Sequence, residues 1–258
     1  MRRAVVTRPE GEARSWVSAL GRQGWQALAL PLIVIGPPAD PLPLLQQRAR
    51  LADYDALMFV SAPAVAQFFA GRPWAAADTD SSTRCWAPGP ATARALLAAG
   101  VPSGRIDQPD AGAENFDSES LWCEVGPQVG PGHRLLVVRG QSVAASPQGN
   151  GRDWLAQQCR ARGGSVDWCV AYRRQVPEWG SEREQALAAA GDGSVWLLSS
   201  SEALDNLRAL LPGADWSMAR AIATHPRIAQ AAVRMGFGIV RESRPTLADV
   251  LRNLESMP

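Results

Sequence analysis

Short, continuous apolar runs alternate along this chain with longer stretches in which apolar residues recur at helical spacing. Near the N-terminus this pattern predicts a strand over residues 4–7, a helix over about 10–22 and a strand over 25–30. Gly24 stands where a glycine commonly follows the end of a helix. We interpret the segment as a βαβ unit, in which the two strands are parallel and the crossover is right-handed.

The same patterns return later in the chain. A second βαβ unit is predicted from a strand over 135–138, a helix over 151–162 and a strand over 165–172. Another strand-turn-helix stretch also occurs twice, at 57–65 and at 195–203, and each copy is an apolar run that stops at serine. Such internal repetition predicts an α/β unit used twice, with a ligand cleft between the copies.

A further pair of similar stretches, 85–95 and 221–231, follows the serine-ended runs at nearly the same offset. The chain therefore contains two kinds of segment in alternation. In chain order they are A (1–35), B (53–125), A′ (134–172) and B′ (193–254).

Two divisions into lobes are compatible with this order. Consecutive lobes A-B and A′-B′ need a break at the Gly/Pro-rich stretch 126–132, which also has the composition of an ordinary loop. A nested arrangement, with B-A′ inserted between A and B′, needs crossings at 36–43 and 175–180, where breaker residues directly follow strands. These breakers favour nesting. The predicted lobes are then 1–35 with 177–258 and 40–171, joined by linkers at 36–39 and 172–176.

The charged residues exclude several classes of function. All 26 basic residues are arginine, so a Schiff-base lysine and the lysine of a P-loop are both impossible. The 25 acidic residues bring the net charge close to zero, and the arginines form no continuous basic track. We therefore expect no nucleic-acid partner.

The cysteines, the histidines and the hydropathy indicate which metal sites, disulfides and membrane segments the chain could form. The four cysteines include no closely spaced pair and are expected to be reduced. Two distant histidines cannot form a multi-histidine metal site without carboxylates from scattered positions. The longest apolar runs fall far short of the roughly 20 residues of a membrane-spanning helix. The N-terminus also lacks the apolar core of a signal peptide. We expect a cytoplasmic protein with no membrane partner, no metal and no cofactor.

Small polar residues follow the predicted strands at the points where helices begin. In parallel sheets these carboxyl ends form the ligand-binding edge, and Pro63, Pro90 and Pro226 stand where the first helical position is expected. Such helix starts bind carboxylates or phosphates, but serine and threonine there also act as simple helix caps. The polar residues concerned are Ser61, Thr92, Ser199, Ser200, Ser201, Thr224 and His225.

Three arginines and one tyrosine are further candidates. Arg8 and Arg139 follow equivalent predicted strands in A and A′, and Arg152 opens a predicted helix; each is either a bidentate clamp for an anion or a solvated loop charge. Tyr172 ends the strand that leads into the second crossing. Its phenol either packs at the hinge or faces the cleft, where it would act as a hydrogen-bond donor or general acid.

Several motifs resemble those of the uroporphyrinogen-III synthase family, and they occur in the family's order along essentially the whole chain. Each motif is short, so the resemblance rests on their order and spacing. The motifs are Val-Thr-Arg-Pro at 6–9, Phe-Val-Ser-Ala-Pro-Ala-Val at 59–65, Pro-Gly-Pro-Ala-Thr-Ala-Arg at 88–94, Gly-Arg-Asp at 151–153, Ala-Tyr-Arg-Arg at 171–174 and Ala-Thr-His-Pro-Arg-Ile-Ala at 223–229.

The resemblance implies two flavodoxin-like parallel-sheet lobes, one of them discontinuous, joined by a two-stranded linker. It also implies a monomer without metal or organic cofactor, in transient contact with hydroxymethylbilane synthase. The implied reaction converts hydroxymethylbilane, a linear tetrapyrrole, to uroporphyrinogen III: the hydroxyl of ring A leaves as water, and the ring closes with inversion of ring D through a spiro intermediate.

The implied site combines one catalytic group with many contacts to a substrate that carries eight carboxylates. Tyr172 matches the family's recurrent tyrosine, which assists departure of the hydroxyl. One motif departs from the family, because His225-Pro-Arg-Ile228 stands where many relatives have Gly-Pro-x-Thr, leaving Arg227 or His225 to replace a threonine hydroxyl. The implied substrate-binding residues are Arg8, Ser61, Ala62, Gly89, Thr92, Arg139, Arg152, Ser199, Ser200, Thr224, His225 and Arg227.

Two other functions are compatible with parts of the pattern. A two-lobed cytoplasmic sensor or binding protein would use the same hinge and cleft without turnover. A flavodoxin-like or receiver-like signalling module would need a flavin phosphate loop or an acidic phosphoacceptor pocket, and the sequence contains neither motif.

Overall fold

The structure is a computed structural model, and it describes residues 2–74, 82–110, 117–142 and 151–257. The chain divides into two compact units. Unit 1 comprises Met1–Val34 and Gln175–Pro258, and unit 2 comprises Ile35–Arg174. Unit 1 is therefore built from both ends of the chain, whereas unit 2 is one continuous insertion.

Strands and helices alternate through both units. The strands are β1 (Arg3–Val6), β2 (Gln26–Ala29), β3 (Val34–Gly36), β4 (Ala56–Phe59), β5 (Arg84–Trp86), β6 (Ile106–Asp107), β7 (Arg134–Ser142), β8 (Ser165–Gln175), β9 (Val195–Leu198), β10 (Arg220–Ala223) and β11 (Ile239–Glu242). The helices are α1 (Glu10–Arg22), α2 (Leu42–Arg48), α3 (Ala62–Phe68), α4 (Pro90–Ala98), α5 (Ser118–Val125), α6 (Gly151–Ala161), α7 (Glu182–Gly191), α8 (Ser201–Leu210), α9 (Pro226–Met235) and α10 (Leu247–Glu255).

Unit 1 is organised around a parallel sheet in the order β11-β10-β9-β1-β2. Numbered within the unit, this is the 2-1-3-4-5 order of flavodoxin-like folds. Every residue of the central strand β9 is buried, which explains why its sequence is a continuous apolar run rather than an alternating one. The Thr7 hydroxyl donates a buried hydrogen bond of 2.7 Å to the Leu197 carbonyl oxygen, joining the N-terminal and C-terminal parts of the unit.

Unit 2 contains a sheet in the order β3-β8-β7-β4-β5-β6, and its neighbours from β8 to β6 pair in parallel. Strands β7 and β8 take the places that β1 and β2 take in unit 1, and β4, β5 and β6 take those of β9, β10 and β11. The two sheets therefore share one spatial order, although the chain enters them at different strands. The predicted fold class, two flavodoxin-like α/β lobes of which one is discontinuous, is confirmed.

The observed ends of an element agree with the predicted ends where neighbouring residues in the sequence determine them. Helix α1 spans the predicted residues, and Gly24 beyond its end has a positive φ of 79°. Strands β7 and β8 instead run several residues past the predicted ends at 138 and 172, because they continue to pair with each other beyond that point. Pro90 and Pro226 open their helices as predicted, whereas Pro63 is the second residue of α3, after Ala62.

Among the described residues, no helix is long and apolar enough to cross a membrane. In the same part of the chain, no group of three or more His, Cys, Asp or Glu side chains could hold a metal ion.

All four cysteines are free, and they differ in exposure. Cys85, Cys159 and Cys169 are buried, whereas Cys123 is exposed on α5. Burial is the main cause that raises the pKa of Cys85 and that of Cys169, each to about 12. The pKa of Cys159 is also raised, again by burial. These three thiols are therefore protonated and inaccessible in the folded protein.

We expect an aromatic disulfide reagent to modify one thiol of the native protein rapidly and the remaining thiols only after denaturation, since the thiolate is the reactive form. Absorbance of the released thiolate measures the stoichiometry. Cys123→Ser should remove the fast phase and leave the slow one unchanged. A second fast thiol in the native protein would contradict the burial of the other three cysteines.

Candidate functional site

Each parallel sheet presents the carboxyl ends of its strands at one edge, and the candidate residues follow those ends. In unit 2, Ser61 follows β4 and Gly89 precedes α4 after β5. In unit 1, the corresponding places are Ser199 after β9 and Thr224 after β10. The shared sheet order thus places the predicted polar residues at equivalent positions of the two units, each on its own sheet.

Ser61 combines a structural contact with a contact to the candidate catalytic residue. Its extended backbone makes it the N-cap of α3, and its Oγ accepts a hydrogen bond from the Ala64 backbone N–H at 3.3 Å. The same Oγ lies 3.2 Å from the phenol oxygen of Tyr172, and either hydroxyl can be the donor in that bond. Ser61 as a whole is half-buried.

Tyr172 lies in β8 and is only 1% exposed. Besides the contact with Ser61, its phenol oxygen accepts a hydrogen bond from Nη2 of Arg174 at 3.4 Å. The guanidinium carbon of Arg174 lies 5.9 Å from the centroid of the Tyr172 ring. The phenol oxygen of Tyr172 thus has two polar neighbours, the Ser61 hydroxyl and the Arg174 guanidinium.

The position of Tyr172 depends on an irregularity in the strand pairing. Arg139 of β7 lies opposite Val170, but the next residue, Gly140, lies opposite Tyr172. Ala171 is therefore an extra residue, and the pair contains a β-bulge. Bulges re-aim the side chains next to them and occur often beside active sites.

Arg139 lies within β7 rather than after a strand, which corrects the predicted strand end at 138. Its guanidinium carbon lies 4.5 Å from the centroid of the Trp168 ring in β8. Such stacking limits the freedom of the guanidinium without using its hydrogen-bond donors. Arg152 lies in the first turn of α6, and its side chain falls outside what the structure describes.

Arg8 follows β1, as predicted, and its guanidinium already has two partners. It forms an ion pair of 2.8 Å with Glu12 and lies 4.2 Å above the centroid of the Trp16 ring. Both unit 1 and unit 2 thus hold an arginine against a tryptophan at equivalent strands, but only Arg8 is also paired with a carboxylate in the contacts described. That ion pair lowers the positive charge that Arg8 can offer to an anion.

The remaining candidates lie at helix starts. Ser200 is the N-cap of α8, and its Oγ accepts from the Ala203 N–H at 3.4 Å; Ser199 precedes it and Ser201 is the first helical residue. His225 is the N-cap of α9, since its Nδ1 accepts from the backbone N–H of Arg227 at 3.1 Å.

Exposure separates these helix-start residues further. His225 and Arg227 are exposed, whereas Thr224 is half-buried. In unit 2, Gly89 is the N-cap of α4, and Thr92 in its first turn is only 5% exposed. Cap roles and ligand contacts are compatible here, because the first turns of α4, α8 and α9 retain backbone N–H groups without intrahelical partners.

Two residues of this site were missed by sequence reasoning. Arg174 stands two positions after Tyr172 on the same strand, and this period-2 spacing is a signal that could have been used. Gly140 lies within a strand pattern, where a glycine commonly marks a bulge or a close approach of another group.

Comparison with known proteins identifies the family. Residues 14–252 match the family model described as uroporphyrinogen-III synthase HemD. The uroporphyrinogen-III synthase of Synechococcus elongatus is 29% identical over 221 residues, covering 83% of this chain and 77% of that protein. The enzyme of the same name from Escherichia coli is 28% identical over 215 residues, covering 81% of this chain and 79% of that protein.

Solved structures show the same fold at lower sequence identity. The crystal structure of uroporphyrinogen-III synthetase from Helicobacter pylori is similar with a TM-score of 0.61, 14% identity and complete coverage of both chains. A mutant uroporphyrinogen III synthase from Thermus thermophilus gives a TM-score of 0.55 at 16% identity, covering 99% of this chain and 98% of that one. Because the family model matches nearly the whole length of this chain, the chain belongs to the uroporphyrinogen-III synthase family.

Proposed function

We propose that the chain converts hydroxymethylbilane to uroporphyrinogen III and water, with Tyr172 as the proton donor. The family match over residues 14–252 is the observation that supports this reaction. The contact between Ser61 and Tyr172 supports the assignment of Tyr172 as the acid. The reaction removes one water and forms one ring with no net oxidation or reduction. It therefore needs acid–base chemistry and positioning, but no redox cofactor.

In the first step, the hydroxyl of ring A takes a proton and leaves as water, while the pyrrole nitrogen's lone pair forms the azafulvene. Ser61 Oγ accepts the Ala64 N–H and can still accept the phenol proton while donating its own. A proton can thus pass from buried Tyr172 through the half-buried Ser61 hydroxyl to the leaving group. Arg174 stabilises the phenolate that remains.

The later steps restore the acid. Ring D attacks the azafulvene carbon through its substituted α carbon and forms the spiro intermediate. The bond from that α carbon to the methylene bridge of ring C then breaks, and the freed methylene bonds to the other α carbon of ring D, so that ring D is inverted in the product. Loss of a proton from the ring carbon then restores the aromatic pyrrole. That proton returns to the Tyr172 phenolate through Ser61, so the site ends each turnover in its starting state.

Substrate binding requires partners for eight carboxylates, and we propose that arginines and helix starts supply them. Arg139 offers hydrogen-bond donors on a guanidinium oriented by Trp168, while the helix starts offer backbone N–H groups and hydroxyls. The proposed substrate-binding residues are Arg8, Ser61, Ala62, Gly89, Thr92, Arg139, Arg152, Ser199, Ser200, Thr224, His225 and Arg227.

We also propose the organisation in which the enzyme works. The lobes are 1–35 with 177–258 and 40–171, with linkers at 36–39 and 172–176, which the division of the chain near Val34/Ile35 and Arg174/Gln175 supports. The protein acts as a cytoplasmic monomer, and it receives its unstable substrate through transient contact with hydroxymethylbilane synthase.

Isomer analysis tests the activity directly. The protein is incubated with freshly made hydroxymethylbilane, the products are oxidised, and the porphyrin isomers are separated by chromatography. We expect isomer III in excess over the isomer I that forms spontaneously. Isomer I alone, together with tight substrate binding, would support the rival function of a binding or sensor protein.

Tyr172→Phe should lower kcat roughly 10- to 100-fold, because the phenyl ring keeps the packing but has no proton to donate. Initial rates of isomer III formation measure the loss. The matched control is Tyr54→Phe, which removes the chain's other phenol; that hydroxyl contacts Gln47 and Asp167 and is given no part in the chemistry. Turnover at the wild-type rate in Tyr172→Phe would remove Tyr172 from the mechanism.

Arg139→Gln should raise KM about 5- to 10-fold with little change in kcat, since one of several charge-assisted contacts to the substrate is lost. Arg134→Gln is the matched control. Arg134 lies at the opposite end of β7 and also has its guanidinium near an aromatic ring, at 5.1 Å from the Tyr54 centroid. Equal KM values for the two variants would exclude a specific role for Arg139 in binding.

A further inference from the structure

Gly140 lies against the ring of Tyr172, at a distance that leaves no room for a side chain. A Cβ placed on Gly140 would lie 2.2 Å from Cζ, 2.4 Å from Cε2 and 2.7 Å from Oη of Tyr172. The optimal separation of two non-bonded carbon atoms is about 3.5 Å or more, so both carbon–carbon distances are too short for a real side chain. The ring therefore occupies the place where any other residue would have its first side-chain carbon.

Backbone conformation does not explain the glycine. The φ of Gly140 is not among the positive values found in the described glycines, so a left-handed backbone is not what requires a glycine here. The space taken by the tyrosine ring is what excludes a side chain.

The β-bulge brings the two residues together. In regular pairing after Arg139 and Val170, Gly140 would lie opposite Ala171, and Tyr172 opposite Gln141. The extra residue in β8 shifts Tyr172 to the position opposite Gly140. The single register shift is therefore what places the Tyr172 ring beside Gly140.

We infer that Gly140 is a positioning residue for the Tyr172 phenol. The bare glycine backbone lets the ring approach β7 closely, which holds its oxygen 3.2 Å from Ser61 Oγ and 3.4 Å from Arg174 Nη2. A side chain at position 140 would push the ring away from both partners. The consequence for turnover rests on the proposed role of Tyr172, whereas the consequence for the ring's position does not.

Gly140→Ala tests the inference through kinetics. We expect kcat to fall within the range expected for Tyr172→Phe, roughly 10- to 100-fold, with KM changed less than about twofold. In the Tyr172→Phe background, where no phenol remains to be misplaced, the same substitution should lower kcat no further than about twofold. An equal fall of kcat in both backgrounds would overturn the inference.

Two glycine-to-alanine controls in the same unit separate positioning from general strain. A Cβ on Gly104 would have no neighbour within 4 Å, so Gly104→Ala should leave both stability and kcat unchanged. A Cβ on Gly164 would lie 2.7 Å from Cys159 Sγ, so Gly164→Ala should lower the melting temperature without lowering the kcat of the folded enzyme. A kcat loss in Gly164→Ala equal to that in Gly140→Ala would count against positioning.

The ring's position can be read independently of activity. The chain has only two tyrosines, so ring-labelled tyrosine gives two assignable sites in carbon-13 NMR spectra, and Tyr54 serves as the internal reference. Gly140→Ala should shift the Tyr172 resonance and leave the Tyr54 resonance in place. An unshifted Tyr172 resonance overturns the inference. Wild-type turnover in Tyr172→Phe, by contrast, would refute only the proposed catalytic role.

A rescue experiment covers the case in which Gly140→Ala does not fold. In the double variant Gly140→Ala/Tyr172→Ala, loss of the tyrosine ring makes room for the methyl group added at position 140. We expect the double variant to fold, and the melting-temperature loss caused by Gly140→Ala to be much smaller in the Tyr172→Ala background than in the wild type. Failure of the double variant to fold, when Tyr172→Ala alone folds, would show that Gly140 serves another purpose.

Discussion

The pairing of β7 with β8, with its single register shift, is the constraint on which the position of Tyr172, the proposed acid, depends. Up to Arg139 and Val170, the two strands pair regularly within the sheet. Beyond them, the extra residue Ala171 places Tyr172 opposite Gly140, within hydrogen-bond distance of Ser61. A strand without the bulge would present a different side chain at this point and leave the Ser61 hydroxyl with its cap alone.

The two units repeat one fold, but only one of them contains the proposed acid. Both sheets have the same strand order, and Ser61 and Ser200 both cap the helix that follows the third strand of that order. Strand β2, the counterpart of β8, pairs regularly with β1 and ends at Ala29. Unit 1 therefore repeats the cap but lacks the bulge and the phenol, and the proposed acid belongs to unit 2.

The arginines show a similar divergence between equivalent positions. Arg8 and Arg139 belong to equivalent strands, and each has its guanidinium above a tryptophan ring. Trp16 comes from helix α1, whereas Trp168 comes from strand β8, so the stacking is achieved in different ways. The ion pair between Arg8 and Glu12 adds a competitor for any anion in unit 1. Two arginines at equivalent positions of the repeat therefore need not bind an anion equally strongly.

Sequence by itself determined the alternation of strands and helices, the repeat and the residues at the helix starts. These features are local, because periodicity, turn residues and caps act over a few neighbouring positions, as the exact span of α1 and the turn at Gly24 illustrate. Only the tertiary structure decided the lengths of β7 and β8, the bulge, the contacts of Tyr172 with Gly140 and Ser61, and the partners of Arg139. Ser61 and Tyr172 are 111 positions apart, and a contact over that distance forms only when strands from distant parts of the chain pair in one register.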